Sequence, residues 1–274
     1  MQTQTLPAVS VIVPTKNRPM EIARMLGSLR AQKTQPLEVI VVDQSTPRYE
    51  LEPFGGLVHL HEPGLSGLTA ARNRGVAKAN GDVLLFFDDD VLLESDCVAE
   101  IAELFARRPD VIGAQCAIHN PWDDDPLSLW DVSTWIFDHG FFSSRPARRG
   151  GDQVPRLIDG LASAYRRTIF AHERFDERLT GYCFAEDWDF TKRAARYGRL
   201  VIAEGARVEH VASPVNRANK KRYLELRREN ILYLYDKLEA GRDVRNRLWR
   251  AWWVFGERLR AIRLAQQTRS LQSK

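Results

Sequence analysis

Three short runs in this chain are apolar at nearly every position: "VSVIVP" (Val9–Pro14), "LEVIVVD" (Leu37–Asp43) and "DVLLFF" (Asp82–Phe87). A strand of that kind has no polar face to leave in water. Both sides of its sheet must be covered, which is the pattern of parallel strands joined by helices. The segment "RPMEIARMLGSLRAQ", between the first two runs, supplies such a helix. Pro19 suits its first turn, and Ile22, Leu26 and Leu29 form one apolar stripe. The alternation predicts an α/β fold on a mostly parallel sheet flanked by helices. In such sheets the functional groups stand at the carboxyl ends of the strands. Thr15 and Asp43 lie at such ends, although both are also ordinary turn and cap residues.

The third run leads straight into Asp88, Asp89 and Asp90. Like charges repel, and carboxylates beside a buried strand lose hydration, so the triplet needs either a solvated turn or a bound cation that hard oxygen ligands can neutralise. A second acidic triplet, Asp123–Asp125, has no strand before it and is bracketed by Pro121 and Pro126, which marks a solvated turn. Between the strands, "GLSGLTAARNRGVAKANGD" follows a short strand near Leu57–Leu60. It reads as a loop entering a helix of small residues, with Arg72 early in that helix, where free backbone N–H groups favour an anion. No Walker pattern is present.

Beyond the triplet the spacing predicts a helix over about Asp96–Arg107 and a strand at "VIGAQCAI". Asn120–Gln153 lacks periodicity and is expected to be a long excursion that covers substrate. "GYCFAEDWDFTKRAARYG" reads as a loop entering a helix that Gly198 closes, and "RLVIAEGARVEHVAS" as two short strands, the second ending at His210. Two helices follow, over about Lys220–Ala240 and Asp243–Ala265. The second carries Val244, Leu248, Trp252, Phe255, Leu259 and Ile262 on one face.

At 274 residues the chain can hold one large α/β domain with an appendage. Cys97, Cys116 and Cys183 are few and lack a CxxC spacing, so neither a disulfide framework nor a zinc site is indicated. No apolar run approaches the roughly 20 residues of a membrane span, and no signal-peptide pattern precedes the first strand. A cytoplasmic location is the expectation. The net charge of +4 is uneven: residues 217–274 carry +10 and the rest −6. Such a tail suits an anionic partner, and its tryptophans interleaved with arginines suit a membrane surface, at the inner face of the cell membrane. Packing on its own domain or on a second copy is the plainer use of that helix. Nucleic acid is not expected, because no binding motif accompanies the charge.

Taken in order, "VSVIVPTKNRP", "VIVVDQST", "GLTAARNRGVAKANGDVLLFFDDDV" and "AYRRTIFAHERFDERLTGYCFAEDWDFTKRAARYG" closely resemble the family 2 glycosyltransferases with a GT-A fold, from about Val9 to His210. The resemblance implies a GT-A type, Rossmann-like sheet with a C-terminal helical extension. Residues 1–119 would form a nucleotide-sugar half, 120–216 an acceptor-side half and 217–274 the extension. It implies transfer of a sugar, with inversion, from a UDP-, GDP- or dTDP-sugar to a hydroxyl of a glycan or lipid-linked acceptor, in polysaccharide, glycolipid or other glycoconjugate synthesis. Mn2+ or Mg2+ would be the cofactor. Pro14 and Thr15 would lie in the nucleotide-facing turn, Asp43 would face the base, and Arg72 would stand near base and diphosphate. Asp88, helped by Asp89, would take the ribose hydroxyls, while Asp90 and His210 would hold the metal. Asp187 would be the general base, with Glu186, Trp188 and Tyr182 on the acceptor side. The family's second motif has two adjacent acids where this chain has Asp43 and Gln44, which leaves base identity open.

Two other classes compete. A haloacid-dehalogenase-type phosphatase would use Asp88 and Asp90 as nucleophile and acid, but its Asp-x-Asp should follow the first strand, and here two strands come before it. A non-catalytic sugar- or lipid-binding protein has no need of Asp88, Asp90 and Asp187 together.

Overall fold

A computed structural model describes residues 5–120, 157–180, 183–213, 220–238, 247–248, 250–259 and 262. Tyr182, Trp249, the Asp123–Asp125 triplet and almost all of the Asn120–Gln153 excursion lie outside the described residues. The chain forms two compact units, the first holding the described residues through Ser213 and the second those from Lys220 onward.

The first unit is built on one eight-stranded sheet. Its strands are β1 (Val9–Thr15), β2 (Glu38–Asp43), β3 (Leu57–His61), β4 (Val83–Phe87), β5 (Val91–Leu93), β6 (Val111–His119), β7 (Ala162–Arg166) and β8 (Arg199–His210). They are ordered β3-β2-β1-β4-β7-β6-β8-β5. β1 is parallel to β2 and β4, β2 to β3, and β6 to β8, whereas β7 and β5 pair antiparallel. Helices α1 (Pro19–Arg30), α2 (Leu68–Lys78), α3 (Cys97–Arg107) and α4 (Glu186–Ala194) accompany it.

The apolar runs behave as their composition requires. Side chains alternate across a strand, so Val9, Val11, Val13, Val39, Val41, Leu85 and Phe87 join one core with α1 and α3, while Ile12, Ile40, Val42, Leu84 and Phe86 join another with Ala71 of α2 and Phe190 of α4. Each fully covered aliphatic or aromatic side chain contributes about 1.5–3 kcal/mol relative to exposure. α2 lies so close to β1 that a Cβ at Gly75 would run into Ile12 Cγ2, which explains the small residues of "LTAARNRG".

Three readings of the sequence are corrected. α4 ends at Ala194 with Ala195 as its cap, so Gly198 does not close it. Gly198 instead passes the turn before β6, where a Cβ would stand 2.9 Å from Asp110 O. "RLVIAEGARVEH" is one strand, with a bulge where the register with β6 jumps from Ala203 to Arg207. A short strand, β5, follows the aspartate triplet and pairs with the end of β8, Val91 opposite His210.

In the second unit, α5 (Lys220–Leu238) and a helix over residues 250–259 are joined by an ion pair between Arg227 and Glu257. The Arg227 guanidinium also lies 5.5 Å from the Trp253 ring centre. Among the described residues no helix is long and apolar enough to cross a membrane.

Candidate active site

Parallel register brings the ends of the central strands level. Thr15 pairs with Asp43, and Asp43 with His61. β4, on the other side of β1, runs straight into Asp88–Asp90. The direction of strand order reverses at β1, and a crevice beyond the strand ends belongs at such a point. Thr15 Oγ1 donates to Asp89 Oδ2 at 2.7 Å and ties the two ends together.

The triplet is neutralised one carboxylate at a time by the chain's own cations. Asp88 Oδ1 accepts from Arg72 Nη2 at 3.1 Å. Asp89, buried, accepts from Arg18 Nη1 at 2.8 Å as well as from Thr15. Burial pushes the Asp89 carboxyl up to about 6, with Arg18 and Thr15 acting against it. Asp90 Oδ2 accepts from the Ser213 N–H at 3.1 Å and from Arg18 Nη1 at 3.4 Å. For Asp90 burial raises the pKa, but His210, the Ser213 N–H and Arg18 outweigh it and hold the group below its ordinary value.

Among the described residues no set of three or more His, Cys, Asp or Glu side chains is gathered to hold a metal ion. Asp90 Oδ1 and His210 Nε2 nevertheless stand 3.7 Å apart, and the other ring nitrogen, Nδ1, lies 3.1 Å from Asn120 Oδ1. The ring thus bridges Asn120 on one side and the Asp90 carboxylate on the other. Neighbouring ligands on an octahedral ion are about 3 Å apart, and Mg2+-type sites typically take one or two protein carboxylates plus phosphate oxygens. One carboxylate and one imidazole would supply part of such a shell, which phosphate oxygens would complete.

Arg72 links this acidic edge to α4. It is 1% exposed, pairs with Glu186 through Nη1, and donates through Nη2 to Gly160 O at 2.6 Å as well as to Asp88. Gly160 is squeezed between the two, since a Cβ there would run into Glu186 Oε1. The N–H of the same glycine donates to Asp187 Oδ2 at 3.4 Å, and the Trp188 N–H donates to Asp187 Oδ1 at 2.7 Å. Burial, then the charges of Glu186 and Asp159, push the Asp187 carboxyl up to about 8. It is a carboxyl held by two N–H groups yet strongly inclined to take a proton. Around these groups the backbone is strained: Asn17 before α1, Ala185 at the start of α4 and Ala212 after β8 all have positive φ (55°, 65° and 53°).

Asp43 is fully buried at the end of β2. Its Oδ1 accepts from the Ser45 N–H at 2.8 Å, and its Oδ2 lies 3.2 Å from His59 Nε2. Gln44 turns its amide to the loop ahead of α2, donating to Leu65 O at 2.9 Å and Gly67 O at 3.3 Å. A carboxylate could not do this. Tyr49 OH reaches Thr15 Oγ1 at 3.2 Å, and its ring stacks on His59 with centres 6.4 Å apart.

The structure thus gathers Thr15, Asp43, Arg72, Asp88, Asp89, Asp90, Glu186, Asp187 and His210 through short chains of contacts. Pro14 sits inside β1, paired with Val42. Trp188 is buried, with Lys192 Nζ 5.8 Å from its ring centre, so it packs within the unit. Arg18, Tyr49, His59, Asp159 and Gly160 were not singled out by sequence. Arg18 shares the turn before Pro19 with Lys16, so the sequence does not mark which of the two cations meets the acids.

The family model for "Glycosyl transferase family 2" matches residues 10–172. A curated glycosyltransferase of Bacillus subtilis (strain 168), YwdF, described as uncharacterized, is 26% identical over 231 residues, which is 79% of this chain and 81% of that protein. The PGL/p-HBAD biosynthesis glycosyltransferase of Mycobacterium tuberculosis (strain ATCC 25177 / H37Ra) is 32% identical over 218 residues, 72% of this chain and 76% of that protein. Among solved structures, the mannosyltransferase PcManGT of Pyrobaculum calidifontis, in complex with GDP-Man and Mn2+, aligns with a TM-score of 0.56 at 18% identity. That alignment covers 98% of this chain and 81% of the other. Two other solved structures that it matches are longer, and the chain spans about half of them. With more than half of its length matched by the family model and its fold that of the GT-A enzymes, the chain belongs to glycosyl transferase family 2 and is a glycosyltransferase.

Proposed function

We propose that this glycosyltransferase is metal-dependent and inverting, and moves a sugar from a nucleotide-sugar donor to an acceptor hydroxyl. The observation that carries the reading is the pairing of two unlike acidic sites across Arg72. On one side Asp90 is held ionised, and on the other Asp187 has a raised proton affinity. Asp90 and His210 would hold Mn2+ or Mg2+, as the Mn2+ in the Pyrobaculum complex supports. The ion would neutralise charge developing on the diphosphate leaving group. Asp43, Thr15 and Pro14 would line the base side and Asp88 the ribose, with Asp89 holding Thr15 and Arg18 in place. Arg72 would organise the acids from within.

Inversion by a single displacement needs one base. The acceptor oxygen attacks the anomeric carbon, the bond from that carbon to the diphosphate oxygen breaks, and the acceptor proton passes to Asp187. A carboxyl with raised proton affinity is suited to taking it. Glu186, Trp188 and Tyr182 would belong to the acceptor side, with residues 1–119 as the donor half, 120–216 as the acceptor half and 217–274 as the tail. The same reading has the enzyme at the inner face of the cell membrane, its tail on an anionic lipid surface and its acceptor a glycan or lipid-linked molecule. The biosynthetic role in the mycobacterial relative's name supports glycoconjugate synthesis. Donor hydrolysis measured across UDP-, GDP- and dTDP-sugars, with Mn2+, with Mg2+ and with a chelator, tests it. Hydrolysis of one nucleotide class that the chelator abolishes is expected; hydrolysis indifferent to the chelator would remove the metal from the mechanism.

A further inference from the structure

We propose that the last helix docks on an anionic lipid bilayer through a stripe formed by Leu248, Trp252, Phe255, Leu259 and Ile262. These side chains are 67%, 40%, 50%, 41% and 56% exposed. Their spacing of four, three, four and three residues keeps them on a strip about 80° wide at 3.6 residues per turn. The opposite side of the same helix is already used. Trp253 and Glu257 are buried there, with Arg227 of α5 paired to Glu257 and lying over the Trp253 ring. A helix with one face packed and an opposite apolar face exposed has the form of an interfacial helix.

Charge selects the occupant. Residues 244–265 contain six arginines and a single acid, Glu257, and that acid is the buried one. Arg247 and Arg258, both exposed, directly precede Leu248 and Leu259 on the margin of the stripe. Two copies laid stripe to stripe would set arginine margins together with no exposed acid on the helix to balance them. An anionic bilayer accepts both features: the apolar residues enter the boundary between headgroups and acyl chains, and the arginines meet lipid phosphates. The docking rests on the glycosyltransferase reading only for its purpose, which is to hold enzyme and lipid-linked acceptor on one surface.

The test is co-sedimentation of the full chain with phosphatidylcholine vesicles and with vesicles that also contain phosphatidylglycerol, at low and high salt. Leu248→Ser/Leu259→Ser and Arg247→Gln/Arg258→Gln variants are measured beside it. Binding to the anionic vesicles that fades with salt is expected. The arginine variant should bind roughly 25-fold more weakly, at about fivefold per basic side chain, and the leucine variant at least about tenfold more weakly. No binding to anionic vesicles at low salt overturns the proposal, as does binding that the leucine variant leaves unchanged. A dimer in vesicle-free solution that the leucine variant dissociates also overturns it, because a second copy then covers the stripe. Donor hydrolysis without vesicles, equal in all three proteins, reports correct folding. Hydrolysis without vesicle binding sinks the docking alone, and vesicle binding without hydrolysis sinks the enzymatic reading alone.

Discussion

Replacing Arg72 by methionine removes the one cation shared by Asp88, Glu186 and the Gly160 carbonyl. The cost divides unequally. Asp88 has a side chain 34% exposed, so water takes over much of the role of its partner, and that pair contributes about 0–1 kcal/mol. Glu186 is 6% exposed and its Oε2 is already buried without a hydrogen-bond partner, so its carboxylate is stranded. Breaking a buried pair from one side costs about 3–5 kcal/mol. At about 2–4 °C per kcal/mol for a unit of this size, the melting temperature should fall by roughly 6–20 °C. Burial raises the Glu186 pKa, with Arg72 opposing it, so in the variant the folded state holds a proton that the unfolded state lacks above the ordinary carboxylate range. Stability then falls as pH rises through that window. The deficit should be largest at alkaline pH and smallest near the acidic end. Arg72→Met/Glu186→Met leaves no stranded charge and should recover most of the loss. Differential scanning calorimetry of the two single variants and the double variant across pH measures this. A fall of under about 2 °C, or a double variant no better than Arg72→Met, would refute the buried-pair account.

Asp187→Asn should keep nucleotide affinity, measured by calorimetry, while turnover falls by at least about 10²-fold, the lower end for loss of a general base. In the native enzyme kcat/KM should rise with pH along a limb above the ordinary carboxylate range, because Asp187 must lose its proton and burial with Glu186 and Asp159 opposes that. Asp159→Asn removes one like charge and should move the limb to lower pH; a limb that stays put would clear Asp159 of any influence on the base. Gln44→Glu restores the family's acid pair but sets a carboxylate against Leu65 O and Gly67 O. It should lower the melting temperature and weaken donor binding with the preference among UDP, GDP and dTDP unchanged; a changed preference would make Gln44 a reader of the base.

Which parts of the molecule were legible follows from where their causes lie. β1, β2 and β4 are written locally, since a short, nearly all-apolar run rich in β-branched or aromatic residues and bounded by turn residues suits a strand covered on both faces. β5 is three residues long, and only its pairing with the end of β8, more than a hundred residues later, makes it a strand. "RLVIAEGARVEH" looks broken at "EG" because a bulge and a turn use the same residues; the neighbouring β6 decides that it is one strand. In the site the acids were visible as motifs, but their counter-ions were not. Arg18 reads as the residue before a helix, and nothing near it announces Asp89, 71 positions away. Arg72, at a helix start, suggested an anion at the helix end, and the fold instead buried it between Glu186 and Asp88.

Calorimetric titration of UDP and of GDP, with and without Mn2+, into the native chain and into Asp90→Asn tests the central claim most directly. Asp90 is the carboxylate that the surrounding N–H groups and cations keep ionised, with Oδ1 turned to His210. The account predicts nucleotide binding to the native chain that Mn2+ strengthens, and an Asp90→Asn protein that still folds but in which that Mn2+ enhancement is lost. An Asp90→Asn protein that binds nucleotide with the full Mn2+ enhancement would contradict it.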